Sequence, residues 1–158
     1  MSADEEIQLV TFRIGGQTLA FSVFEVERVL RYEPPTPLPK APTFLAGMLK
    51  HGEELIPVVD LRTRLDVPAE VNEDTRTMVL EWEQGKIGIV VDAVQELLKV
   101  PVTDVKPPPP IVKGLAAKYV NGVVARGKRT IVVLAVSRLL SSKERLQLEA
   151  LAAEVVHE

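Results

Sequence analysis

The chain of 158 residues is 46% hydrophobic and 26% charged, enough for one globular domain that buries about two-thirds of its unfolded surface. Nineteen Lys and Arg against 22 Asp and Glu leave a net charge of -3, and aromatics make up only 4%, so the basic field and stacking rings of a dedicated nucleic-acid groove are missing. There is no cysteine, which excludes disulfides, thiolate metal sites and thiol nucleophiles and fits a reducing compartment.

The opening residues, Met1-Ser-Ala-Asp-Glu-Glu6, are acidic where a secretory leader would be basic, and no apolar run is long enough to cross a bilayer. The expectation is a cytoplasmic protein without membrane insertion. Val, Leu and Ile in short runs punctuated by Gly and Pro favour many short strands.

In chain order, Ile7–Ile14 reads as a strand and Gly15-Gly16 as a turn. Leu19–Arg31 reads as a strand that runs into one or two helical turns, because Val23, Val26, Val29 and Leu30 recur at helical spacing. The proline-rich stretch 34–39 then precedes Phe44–Leu65, in which Gly47 and Gly52 bracket a hairpin strand and Leu55–Leu61 returns. After a break near Asp66–Thr75, Thr77–Trp82 is a strand, and Ile87–Lys99 repeats strand and helical turn. A second linker, Val100–Lys118 with Pro107–Pro110, leads to a second hairpin over Tyr119–Leu140. The prolines serve either as extended connectors or as ligands for an aromatic groove, and their equivalent placement favours connectors. Ser141-Ser-Lys-Glu144 is a capping-box pattern, and Leu148, Leu151, Ala152 and Val155 make one stripe of a helix that packs back on the body.

The order contains a duplication. Leu19–Arg31 lies on Ile87–Lys99 at an offset of 68 without a gap, and Phe44–Leu65 lies on Tyr119–Leu140 at an offset of 75, with Gly47 on Gly122 and Gly52 on Gly127. Two similar β subdomains follow, near 15–65 and 76–140, with a C-terminal helix over 141–158. Each is too small for an independent core, so they are expected to share a buried interface.

Reactive constellations are not evident. His51 sits in a turn beside Gly52, Glu53 and Glu54, a poor convergence for a metal ion, and His157 is next to last. Asp60 and Asp92 each follow an apolar strand, where catalytic carboxylates occur, but both also precede an expected helical turn that a carboxylate caps. Capping is the stronger reading, and no phosphate-loop, dinucleotide, nucleophile-elbow or zinc-protease motif is present. The expectations are therefore no catalysis, no cofactor and no metal. A hydrolase reading ranks last, and an oligonucleotide-binding small barrel is disfavoured by the acidic balance.

Gly47, then Ile56-Pro-Val-Val-Asp60-Leu-Arg62, then Ile87-Gly-Ile-Val-Val-Asp92-x-Val94-x-x-Leu97-Leu98, then Pro107-Pro-Pro and Tyr119-Val-Asn-Gly122-Val, resemble the CheW coupling proteins of bacterial chemosensory arrays from about residue 9 to 142. The resemblance implies an all-β fold of two intertwined five-stranded SH3-like barrels. It also implies a groove that receives a chemoreceptor's cytoplasmic tip, and barrel ends that meet the regulatory domain of a CheA-type histidine kinase. Carried over by position, the receptor groove includes Val23, Val26, Arg28, Ile87, Gly88 and Val91, although Val26 at its spacing also reads as core. Burial is expected for Val23 and Val91, and partial exposure for Val26 and Arg28.

The kinase-facing surface is expected at the first hairpin, Lys50, His51, Gly52 and Glu53, and at Leu61 and Arg62. One departure stands out: where the family carries Asn-Leu-Arg-Gly, this chain has Lys50-His51-Gly52-Glu53, so the guanidinium is absent. The resemblance thus leaves two readings, a full receptor–kinase adaptor and an accessory that holds the receptor but recruits the kinase weakly. The matched turns differ in charge, Glu53-Glu54 against Lys128-Arg129, which either favours salt-sensitive head-to-tail association or is merely solvated.

Overall fold

The computed structural model describes residues 5–82, 85–108 and 119–157, the side chains of 152–157 excepted. Pro109, Pro110 and the side chains of Ala152 and Val155 therefore lie outside the described residues. The strands are β1 (Glu6–Ile14), β2 (Gln17–Ser22), β3 (Val26–Arg31), β4 (Gly47–His51), β5 (Glu54–Asp60), β6 (Arg76–Trp82), β7 (Gly85–Val91), β8 (Ala93–Pro101), β9 (Val120–Arg126) and β10 (Arg129–Leu134). Two helices, α1 (Leu61–Arg64) and α2 (Ser142–His157), and single 3-10 turns at Val23–Glu25, Val102–Asp104 and Val136–Arg138 complete the described elements.

The strands form two five-stranded sheets, β8-β1-β2-β10-β9 and β3-β6-β7-β5-β4. The second sheet is a continuous stretch of chain, β3 to β7, whereas the first joins strands from both ends of the sequence. The expected boundaries 15–65 and 76–140 follow the sequence repeat, whereas the sheets exchange strands across it. β2 leaves the first sheet and continues as β3 in the second, and β7 leaves the second and continues as β8 in the first. The parallel pairs β2–β10 and β5–β7 are the same pairing in the two copies, Val133 beside Ala20 and Val58 beside Gly88.

This crossover explains the burial. β7 is paired on both edges and covered on both faces, so Ile87 through Val91 are all buried. Its alternate side chains go to different cores. Ile87, Ile89 and Val91 join Phe12, Leu19, Phe21, Met78 and Leu80 in a cluster shared by both sheets, while Val90 packs with Leu49, Ile56, Val58 and Val79 inside its own barrel. In the other barrel Ala20 joins Leu9, Val100, Val124, Ile131 and Val133. Phe12 and Phe21 stack at 5.3 Å between ring centres, and the expected shared interface is this central cluster.

The helical turns expected after Val23 and after Val91 are a correction. A single 3-10 turn stands at Val23–Glu25, and the chain then continues as β3; beyond Asp92 it continues directly as β8. Each strand carries a bulge at the equivalent place. Val26 faces Leu80 while Arg28 faces Val79, so Glu27 is extra; Val94 faces Phe12 while Leu97 faces Val10, so β8 gains a residue around Gln95-Glu96. A bulge breaks the period of two and lets apolar residues recur three apart, which imitates a helix. Thr11, buried in β1, fills the second bulge: its hydroxyl donates to the Glu96 carbonyl at 3.0 Å and accepts from the Glu96 N–H at 3.1 Å.

The first proline linker acts as a connector that covers a sheet edge, and so does the described part of the second. Thr36 exchanges both backbone bonds with Met48 at 2.8 and 2.9 Å, and Lys106 does so with Val123 at 2.9 and 2.8 Å, which protects β4 and β9 from foreign strands. Glycine makes the approach feasible. A Cβ on Gly47 would lie 2.5 Å from the Thr36 oxygen, and one on Gly122 would lie 2.8 Å from the Val105 side chain.

At the far end the capping box is formed: the Glu144 carboxylate accepts from the Ser141 N–H at 2.9 Å, and the Ser141 hydroxyl accepts from the Glu144 N–H at 3.1 Å. Glu144 also pairs with Arg64, Arg145 lies 5.9 Å from the Trp82 ring centre, and Leu148 is buried in the shared core. The helix is thereby docked on the body.

Candidate partner-binding surface

The first-copy residues of the expected groove fall on the β2–β3 crossover and on β3, an edge strand that no described strand covers, as is β8 in the other sheet. Ser22 caps the 3-10 turn, its hydroxyl accepting from the Phe24 N–H at 3.3 Å. Val23 and Val26 are half-buried, Val26 against the shared core, and Arg28 is exposed. The second-copy residues behave differently. Ile87, Gly88 and Val91 are buried, so this part of the expected groove is corrected: β7 is a central strand whose side chains fill the cores. Val23, expected in the core, keeps part of its surface, while Val91 is buried as expected.

On the 3-10 turn and the two edge strands, the exposed apolar side chains are other residues than those expected. Phe24 is 88% exposed on its 3-10 turn, and Val29 and Leu97, equivalent positions of the repeat, are 40% and 55% exposed on β3 and β8. Sequence reasoning passed over Val29 and Leu97 because helical spacing placed them on a packed face, and it did not single out Phe24. The signal was nonetheless present, since a 68-residue shift lays Val29 on Leu97. Large exposed apolar side chains at matched positions of two edge strands that no described strand covers are features suited to protein partners.

The hairpin between β4 and β5 presents Lys50, Gly52 and Glu53, with His51 half-buried. Gly52 has φ of +64°, and its neighbour Glu53 has no positive φ, the requirement of a two-residue turn with glycine in first place. Gly127 repeats this with φ of +61°. The departure from Asn-Leu-Arg-Gly thus gives both hairpins of this chain the same turn chemistry. A guanidinium is still near the first hairpin: Arg28 donates to His51 Nε2 at 2.8 Å and pairs with Glu27 at 2.7 Å.

Lys86 lies between Glu27 and Glu54, at 2.9 and 2.8 Å. These bonds hold the Glu27 carboxyl below its usual range, chiefly through Lys86, and raise Lys86, chiefly through Glu54. Of the turn that reads as acidic, Glu54 is therefore paired, while Glu53 stays exposed. The matched basic turn keeps Lys128 exposed while Arg129 and Arg126 reach Glu96 and Asp104 at 3.4 and 3.6 Å.

Leu61 and Arg62, expected on the kinase-facing surface, are a second correction. Leu61 is 0% and Arg62 1% exposed. Asp60 caps α1, accepting from the Arg62 N–H at 3.0 Å, and then grips the same residue's guanidinium with both oxygens, each at 3.0 Å. The guanidinium also donates to the Glu70 carbonyl and to Asp92 at 3.3 Å. Hydrogen bonding to Asp60 raises the Arg62 pKa against the opposing effect of burial. Asp92 further accepts from the Gly15 N–H at 2.7 Å. Both aspartates do structural capping, although Asp92 caps the β1–β2 turn and not a helical turn of its own.

Among the described residues no three His, Cys, Asp or Glu side chains gather in a metal-holding group, and no helix is long and apolar enough to cross a membrane. Two interleaved small barrels, with ionisable groups tied into internal pairs and apolar side chains shown at two edges, define a protein-interaction scaffold. Comparison with known proteins agrees. Residues 8–144 match the CheW-like domain. The chemotaxis protein CheW of Treponema pallidum is 31% identical over 146 residues, covering 89% of this chain and 86% of that protein. Protein FrzA of Myxococcus xanthus is 34% identical over 143 residues, 89% of each chain. The crystal structure of the scaffolding protein TtCheW from Thermoanaerobacter tengcongensis superposes with a TM-score of 0.81 at 26% identity, covering 90% of this chain and 94% of that one.

The chain belongs to the CheW-like family, whose members are scaffolds of chemotaxis signalling, and its fold is the SH3-like double barrel.

Proposed function

We propose that this chain couples the cytoplasmic tips of chemoreceptors to a CheA-type histidine kinase, working as an adaptor in the cytoplasm at receptor clusters. The observation that carries the reading is the pair of edge strands with matched exposed apolar side chains, Val29 on β3 and Leu97 on β8, with the half-buried Val23 on the turn before β3 and the half-buried Val26 at the start of β3. A receptor tip, being helical, buries apolar residues in a groove of this kind by shape rather than by chemistry. The hairpin at Lys50–Glu53 is the proposed kinase-facing end, without Leu61 and Arg62, whose side chains are enclosed.

Separate titrations of the purified chain with a receptor-tip fragment and with the kinase regulatory domain test both arms. Val26→Glu places a charge against apolar surface and is expected to weaken receptor binding by at least tenfold, leaving kinase binding intact. Undiminished receptor affinity in a folded Val26→Glu protein would remove this region from the groove.

A further inference from the structure

We propose that Glu25 is a positioning residue for receptor binding: its carboxylate accepts from the Val136 N–H at 2.8 Å and so fixes the crossover that carries Val23 and Val26. The inference rests on the reading of that crossover as part of the receptor groove.

The geometry follows from the parallel pairing. β2 and β10 run in the same direction, so they leave the sheet at the same end. The residues after β2 therefore stand beside the turn after β10. That turn, Val136–Arg138, begins with free backbone N–H groups and follows Ala135, whose methyl group offers no acceptor. In the other copy the equivalent of Ala135 is Asp60, which caps its own turn. Where the chain lacks this local cap, Glu25 supplies it from 111 residues away. Asp92, on the other crossover, makes the comparable reach to Arg62 after β5, the parallel neighbour of β7. Each crossover thus carries one carboxylate that grips the turn ending the strand beside it.

Only Glu25 has the proposed receptor-contacting residues on either side. Val23 opens its 3-10 turn and Val26 closes it, with the Val26 N–H bonded to the Val23 carbonyl. The Phe24 N–H is held by Ser22. With Glu25 anchored on Val136, the turn is fixed at both ends and against the turn that follows β10, and Phe24 is presented outward on a constrained backbone. A preordered contact loop loses less freedom when its partner binds.

The test compares Glu25→Ala, Glu25→Gln and Val26→Glu in the full-length chain, reading affinity for a purified chemoreceptor-tip fragment and hydrogen exchange of the Val136 amide. Glu25→Ala is expected to weaken binding by about fivefold, the effect of losing one cap, and to speed Val136 exchange. Glu25→Gln, whose amide oxygen accepts the same bond, is expected to restore both. Unchanged affinity in a folded Glu25→Ala protein, with Val26→Glu still weakened, overturns the positioning role, as does a Gln variant that binds no better than Ala. Unchanged affinity in Val26→Glu overturns the groove reading itself.

Discussion

Replacing Arg62 with Ala is the sharpest probe of what holds the interleaved sheets in register. The guanidinium is 1% exposed and joins the end of β5, the 66–75 segment and the β7–β8 crossover through Asp60, the Glu70 carbonyl and Asp92. Removing it leaves two carboxylates facing an emptied site. Breaking a buried pair commonly costs 3–5 kcal/mol, and because Asp60 and Asp92 keep 21% and 25% exposure water relieves part of this, so about 3 kcal/mol is expected. With a urea slope of about 2 kcal/mol/M for a domain of this size, the unfolding midpoint falls by about 1.5 M. Arg62→Met is expected to behave almost as badly, because it refills the space without answering the carboxylates. Arg62→Lys should recover only part of the loss, since an ammonium cannot bridge three acceptors with a planar fork. A midpoint shift under about 0.5 M for Arg62→Ala would refute the claim that this guanidinium is a structural tie.

Further perturbations have expected outcomes of their own. Gly47→Ala drives a Cβ to 2.5 Å from the Thr36 oxygen and should cost more than 2 kcal/mol or so in urea unfolding, whereas Gly16→Ala, with open space around it, should be near neutral. Ser141→Ala removes one half of the capping box and should lower stability by about 1 kcal/mol. Burial pushes the Glu144 carboxyl up, but Arg64 and the Ser141 N–H outweigh it and leave it below its ordinary value of 4.5. Its contribution is thus complete above that value and is lost as the pH falls through the lowered one. Unfolding midpoints between pH 3 and 7 should show this slope in the native chain and a flatter one in Arg64→Met. Glu25 is shifted the other way by burial, opposed by the Val136 and Ser22 backbone bonds. Stability from this group is greatest below 4.5 and declines as the pH rises through the raised value, so Glu25→Gln should unfold at neutral pH no earlier than the native chain.

Much of the architecture was legible because the chain states it twice. The glycines Gly47 and Gly122, Gly52 and Gly127, stand in register, and glycine is demanded there by close approach or by positive φ, so the repeat carries geometry and not just composition. The partition of strands between sheets was not legible, since a repeat in sequence is silent on whether β2 and β3 stay together. The bulges at Glu27 and Gln95-Glu96 hid β3 and the start of β8 behind helical spacing, and with them Val29 and Leu97. Ile87, placed in the groove by resemblance, misled in the opposite sense, because an apolar run reads equally as groove or as central strand until its neighbours are known, whereas Val91 is buried as expected. Arg62 was expected at the surface on the resemblance, and only the fold brings Asp92 to it.

The exchange of strands has a consequence for how such a chain emerges from the ribosome. β1 and β2 are made first, but their other partners, β8 and β10, follow roughly a hundred residues later. The second sheet, β3 to β7, is contiguous and is complete while the first is still an unsupported hairpin. That hairpin must wait, greasy side uncovered, beside a finished neighbour. A stall late in synthesis would therefore leave a sticky half-built molecule, and nascent chains halted before β8 should be the ones that chaperones hold longest.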